Sequence, residues 1–323
     1  MLLFRDKTRR RSIAIVAVSA AVGIACWLGS RRIPTGPDAG TAASGAAASG
    51  SARPGRERMG TEASPGAVSA AKRLVSSEPL PILSETRPVL RIGTFNIHSC
   101  KGKDGRRDVA RVAQCLADLD AAALQEVRAW RWNDPPDQAE AIGRRLGRAW
   151  LFAPAETQWF GAEAFGNGLV TSRRVTAWQR IPLVEKGDWS YRNCLLAGLE
   201  FHGRTVRLLV THLARHSDEE RRLQLRSVID LFLSLEEPAV LLGDLNSGPD
   251  EPLLGELLAT PGVVDAAGPF LPPEARQRVD WIFARGFRAV AGGARDSGAS
   301  DHPLLWAELE LLKSNESVGP IDK

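Results

Sequence analysis

Short apolar runs, each closed by polar or turn residues, recur from Val89 to Leu311. Runs of that kind are buried strands. Val89 to His98 alternates and predicts a strand with Asn96 near its C-terminal end. Ala121 to Leu124 predicts a second strand, terminated by Gln125-Glu126. Others are expected around Leu169, Leu183 and Leu195, and over Val206–Val210, Ala239–Leu242, Arg278–Ala284 and Leu304–Leu311. Gly166-Asn167-Gly168 reads as a turn ahead of the Leu169 strand, and Asp265 to Arg278 as a loop.

Between these runs the period changes. Val109, Val112, Leu116 and Leu119 fall at helical spacing, and Asp134-Pro135 reads as a cap and first-turn proline opening a helix through Ile142 and Leu146. Ser217-Asp-Glu-Glu220 is a capping box ahead of an apolar face formed by Leu225, Val228, Ile229, Phe232 and Leu235. Strands and helices mixed at this density predict two sheets packed between helices.

The first 88 residues follow another pattern. Arginines and a lysine precede an uncharged run from Ile13 to Gly29, which Arg31 and Arg32 close. Its length is the short limit for a spanning helix, and the excess of positive charge before it predicts the N-terminus inside. The expectation is a basic segment 1–12, a single-pass anchor 13–30 in a bacterial-type cell membrane, and everything beyond outside the cytoplasm. Gly23-Ile24-Ala25-Cys26 as a lipoprotein box and Arg10-Arg11 as a twin-arginine signal are the alternatives. Residues 31–88 are rich in Ala, Gly, Ser and Pro with no periodicity, and read as a disordered linker spanning roughly 40 Å. The folded domain is then 89–312, read as monomeric, and 313–323 a tail.

Charge changes the picture once it is divided. The chain carries +4 overall, but residues 1–32 hold seven Lys/Arg against one Asp and residues 33–88 six against five acids, so the domain carries −3. A nucleic-acid footprint is therefore not indicated by charge. Four scattered cysteines, with no CxxC, exclude a zinc site and a disulfide framework, leaving a Cys100–Cys115 bridge open.

The chemistry sits where the strands end. Asp244 and Asn246 leave the Ala239–Leu242 strand two residues apart, a pair suited to hold a water against phosphorus, accept its proton and donate to the oxyanion. Asn96 and Glu126 offer the oxygen ligands that Mg²⁺ prefers. His212 follows the Val206–Val210 strand. Asp280 is a carboxylate inside an apolar strand, costly unless paired, and His302 is its natural partner. Asp301 can bind metal while His302 turns away.

In chain order, T-F-N-I-H (94–98), L-Q-E-V (124–127), G-N-G-L (166–169), T-H-L (211–213), G-D-L-N (243–246), V-D-W-I (279–282) and S-D-H-P-L (300–304) resemble the endonuclease/exonuclease/phosphatase, or deoxyribonuclease I-like, superfamily. The resemblance implies a four-layer α/β sandwich, two packed mixed β-sheets flanked by helices, with the site at one edge. It implies a hydrolase of phosphoester bonds using Mg²⁺, with Mn²⁺ as an alternative. By resemblance Asn96, Glu126 and Asp301 lie at the metal, Asp244 and Asn246 at the nucleophile, His302 and Asp280 form a dyad, and His212, Asn167 and Arg192 meet the phosphate. Asp244 and the dyad both remain candidates for the base. His98 stands where apurinic endonucleases carry an acid, and the long basic insertions of DNA-processing members are absent. The expected substrate is a phospholipid headgroup or another small phosphodiester, with an extracytoplasmic nuclease and a non-catalytic interaction domain as alternatives. Trp130, Trp132, Trp159, Phe160 and Trp189 fall in or beside predicted loops, where aromatic tips can meet a headgroup region.

Overall fold

The computed structural model describes residues 33–35, 38–41, 89–183 and 191–312. The expected anchor (13–30), Trp189 and the tail (313–323) lie outside the described residues.

One sheet holds β1 (Ile33–Pro34), β3 (Val89–Asn96), β4 (Ala121–Trp130), β5 (Ala149–Gln158), β6 (Glu163–Thr171), β13 (Phe287–Arg295) and β14 (Leu304–Leu311), ordered β1-β5-β6-β4-β3-β14-β13. The other holds β2 (Asp38–Thr41), β7 (Val175–Pro182), β8 (Asn193–Phe201), β9 (Arg204–His212), β10 (Ala239–Asp244), β11 (Val264–Asp265) and β12 (Asp280–Arg285), ordered β11-β12-β10-β9-β8-β7-β2. Helices α1 (Val109–Cys115) and α2 (Gln138–Leu146) accompany the first sheet, and α3 (Asp218–Ser234) and α4 (Pro252–Ala259) the second. This is the expected four-layer sandwich.

Side-chain alternation along the strands builds two cores. Val240, Leu242, Ile282 and Ala284 point between the sheets to meet Leu90, Phe95 and Leu124. Their neighbours Ala239, Leu241, Trp281 and Phe283 point the other way, against Leu225, Val228 and Phe232 of α3. A strand buried on both faces reads as a continuous apolar run, which is why the Ala239–Leu242 stretch stands out in the sequence.

Several expectations are corrected. The strand ending at Gln125-Glu126 runs on to Trp130: a bulge there sets two residues against Asn167, between the pairs Leu124–Gly168 and Val127–Gly166. Gly166-Asn167-Gly168 is strand interior, not a turn; a Cβ on Gly166 would lie 2.1 Å from the Ala153 carbonyl oxygen, so glycine here serves close approach. The second helix starts at Gln138, because Asp137 and not Asp134 caps it by accepting from the Glu140 amide at 2.8 Å. The strand expected over Arg278–Ala284 is Asp280–Arg285, and β5, β13 and α4 were not anticipated. Cys100 and Cys115 are free thiols, so the bridge left open is not formed.

The linker 31–88 is also corrected at its start. Ile33 and Pro34 pair with Thr157 and Glu156, and Asp38–Thr41 pair with Ala177–Arg180. Edge pairing uses backbone groups alone, so a polar, aperiodic stretch can add to a sheet without a hydrophobic signal.

Candidate active site

Parallel pairing of β9 with β10 and antiparallel pairing of β10 with β12 set His212, Asp244 and Asp280 directly opposite one another in a row. All three are at least nine-tenths buried. Gly243 permits this approach, since a Cβ there would stand 2.0 Å from the Thr211 carbonyl oxygen. Asn96 closes the row from the facing sheet, its Nδ2 donating to Asp244 Oδ2 at 3.0 Å and to Glu126 Oε1 at 3.4 Å. The Asn246 amide N–H donates to Asp244 Oδ1 at 2.9 Å, and Asn246 Nδ2 donates to the Leu213 carbonyl at 2.9 Å. His302 joins through Nδ1, 2.8 Å from Asp280 Oδ2, while its Nε2 stands 3.8 Å from Asp244 Oδ2. The expected Asp280–His302 pair is thus made.

The electrostatics of Asp244, His302 and His212 differ. Burial and the neighbouring Asp280 raise Asp244 to about 6, despite His302, Asn96 and Asn246 favouring its charge. Burial opposes a charge on His302, but the bond to Asp280 and the charges of Asp280, Asp244 and Asp301 outweigh it and raise the imidazole to about 9. His212 is pushed well below the usual histidine range by burial and by the positive charges of Arg192, His302 and Arg215. Its Nε2 stands 3.5 Å from Asp244 Oδ2. At neutral pH the row therefore holds an imidazolium beside one imidazole that stays neutral.

Glu126 stands at the β4 bulge with φ 59°, partly exposed, and Asp301 is 56% exposed at its side chain. Between them runs a turn in which His98, Ser99 and Cys100 all take positive φ (46°, 54° and 58°). It is braced by Gln138 Nε2 donating to the Ser99 carbonyl at 2.8 Å and by Arg128 Nε donating to Ser99 Oγ at 3.0 Å. His98 consequently faces Asp301, Nδ1 to Oδ1 3.5 Å, and the Ser300 hydroxyl donates to the Asn96 carbonyl at 2.6 Å.

Two groups can be weighed as a cation site. The acceptor atoms of Asp244, Asp280 and His302 lie within 4.8 Å of one another. That cluster already holds its own cation in His302. Glu126 and Asp301 are oxygen donors open to solvent, which fits a hard cation that keeps part of its water; Asn96 beside them turns Nδ2 to Glu126, and its Oδ1 accepts from the His98 N–H at 3.1 Å.

Asn167, buried in β6, donates from Nδ2 to Asn193 Oδ1 at 2.9 Å and to the Asn193 carbonyl at 3.0 Å, while its Oδ1 has no partner among the described residues. Asn193, which the sequence reading passed over, is the hub here: its own Nδ2 donates to the Pro154 carbonyl at 2.9 Å. Its signal was a carboxamide opening the apolar run Cys194–Leu196. The Arg192 guanidinium lies 5.9 Å from the Phe165 ring, with Nε donating to the Leu213 carbonyl at 3.2 Å. All ten expected residues stand on or beside the ends and bulge of strands β3, β4, β6, β8, β9, β10, β12 and β14.

Solved structures share this fold. A structure described as an endonuclease/exonuclease/phosphatase from Beutenbergia cavernae is 25% identical, with a TM-score of 0.59, covering 70% of this chain and 72% of that one. The human nocturnin catalytic domain, solved with bound sulfate, is 18% identical with a TM-score of 0.54, covering 71% and 96%. A mannosyl-6-phosphatase from Bacteroides thetaiotaomicron is 16% identical with a TM-score of 0.52, covering 68% and 99%. No curated protein matches the chain. The model of the Endonuclease/Exonuclease/phosphatase family matches residues 93–302, the span that contains every side chain of the row and of the two carboxylates beside it. The chain belongs to the endonuclease/exonuclease/phosphatase family and is, as its members are, a metal-dependent hydrolase acting on phosphoester bonds.

Proposed function

We propose that the protein hydrolyses a phosphodiester at a membrane surface, held there by residues 13–30 with the domain outside the cytoplasm, and that Asp244 is the base. The observation that carries the reading is the row His212–Asp244–Asp280, with Asn96 and His302 closing around Asp244. A base works best when its pKa lies near the working pH. Asp244, at about 6, meets that requirement, whereas His302, at about 9, holds its proton.

In this reading Asp244 takes the proton of the attacking water. Asn246 holds the carboxylate through its backbone N–H, and the second hydrogen of its carboxamide is left for the oxyanion. His302, fixed by Asp280, presents a charged N–H to the phosphoryl oxygens. Arg192 and neutral His212 border the same space, and Asn167, steered by Asn193, supplies a further polar contact for the phosphate. Glu126, Asn96 and Asp301 would hold Mg²⁺, or Mn²⁺ as the alternative, which supplies polarisation of the phosphoryl oxygen and charge for the leaving group. With −3 on the domain, release of counterions from many phosphate contacts does not drive binding, which favours a phospholipid headgroup or small phosphodiester over a nucleic acid.

The test is the full-length chain with Mg²⁺ or Mn²⁺ on phospholipid vesicles, plasmid DNA and RNA at matched enzyme concentration, with and without EDTA. EDTA-sensitive release of a headgroup, faster than cleavage of either nucleic acid, is expected. Faster cleavage of DNA or RNA would overturn the substrate assignment.

A further inference from the structure

We propose that the loops bearing Trp132, Trp159 and Phe160 are the face of the domain that rests on the lipid bilayer, so that the catalytic cleft opens along the membrane surface. The inference rests on the anchor reading above. These side chains are 81%, 42% and 68% exposed, unusual for residues this large and apolar. The two loops that carry them are joined. Trp130 pairs with Glu163, Glu163 pairs with Gln158, and the Arg131 amide donates to the Ala162 carbonyl at 2.8 Å, binding the two loops together. Trp159 and Phe160 hold positive φ (50° and 55°), a conformation that side chains rarely adopt.

The patch adjoins the site. Glu126 and Asn167 lie on the same two strands, four residues from Trp130 and Glu163, which is ~13 Å along an extended chain. Exposed Arg131 and Arg107 flank it, the latter with its guanidinium 5.7 Å from the Trp130 ring. Aromatic tips beside arginines suit the headgroup level of a bilayer with anionic lipid.

The position of the N-terminal strand decides the occupant. β1 runs antiparallel to β5, with Ile33 opposite Thr157, so the chain preceding Ile33 is directed towards Gln158 and the Trp159 loop. The apolar run ends at Gly29, and Arg31 and Arg32 follow. Four residues span at most ~14 Å. In the anchor reading the run that would enter the membrane is thus tied within that reach of the end of β1 that lies beside the Trp159 loop.

Bromine on lipid acyl chains quenches tryptophan that reaches it. Full-length protein is reconstituted in phosphatidylcholine/phosphatidylglycerol vesicles with and without brominated lipid, beside Trp132→Ala/Trp159→Ala/Phe160→Ala and the single variant Trp132→Ala, which keeps the comparison alive if the triple variant misfolds. Flotation with vesicles and quenching of Trp27, common to all forms, report the anchor. The wild type should show quenching beyond that shared signal; the triple variant should lose the excess and Trp132→Ala part of it, with turnover of soluble bis-p-nitrophenyl phosphate unchanged. Equal quenching in all forms that float would overturn the docking face and leave the anchor standing. If the full chain does not float, the anchor fails and the docking face with it. Loss of single-stranded DNA binding in the variants without loss of quenching would assign the patch to nucleic acid instead.

Discussion

Asp244 is touched from four sides: by Asn96 and His302, by His212 from the adjoining strand, and by the backbone of Asn246. Replacing it with asparagine keeps the shape and the bond from Asn246 while removing the proton acceptor. Asp244→Asn is expected to lower kcat by at least ~10²-fold with the fold intact, measured by steady-state kinetics beside circular dichroism. Near-wild-type rates would remove it as the base. Asp244 and Asn246 were legible because a strand buried on both faces announces itself and its polar end stands out. Asp280 was legible for the opposite reason, as a charge where none belongs without a partner. Asn193 was not, because its importance lies in bonds to residues distant in sequence, Asn167 and Pro154.

Elements were readable where one face is apolar and the caps are local. Ser217 caps α3 as expected, accepting from the Glu220 amide at 3.2 Å, while the Glu220 carboxylate accepts from Gln224 Nε2 at 3.1 Å instead of closing the box. The bulge that presents Glu126 left no trace, since Gln125-Glu126 looks like a strand end, and only pairing with β6 reveals two residues set against one. At α2 the cap lies three residues beyond the one expected, and its burial has a measurable effect. Burial raises Asp137 from 3.8 to about 7, with Glu140 adding to the shift and backbone bonds opposing it. The folded chain then holds this proton more tightly than the unfolded one. The linked stability is complete below about pH 4 and is lost as the pH rises to about 7. Asp137→Asn keeps a good cap and cannot ionise. Chemical denaturation from pH 4 to 8 should show this decline flattened in the variant, with a gain at pH 8; parallel pH profiles would refute the shift.

For the molecule as a whole, the four layers were foreseeable because strands and helices mix at a density that packs two sheets between helices, and because the ordered motifs resemble a family with that sandwich. The sheet edges were not, because β1 and β2 are held by backbone bonds that carry no side-chain pattern. One short segment covers the edge of each sheet, β5 in one and β7 in the other. Removing residues 33–41 should expose both edges. We expect a lower melting temperature, by roughly 2–4 °C for each kcal/mol lost, and a rise in aggregation by light scattering. Unchanged melting and solubility would show that the edges do not need this cover.

The same clasp orders events in time. Ile33 and Asp38 leave the ribosome early, yet their partners at Thr157 and Arg180 come far later. At about 5–20 residues per second, that is a delay of roughly six to thirty seconds. In the anchored reading, the apolar run has met the translocation machinery before either sheet has its outer strand. A segment made early is then seated only once Thr157 and Arg180 have followed it, on a chain that in this reading is already attached.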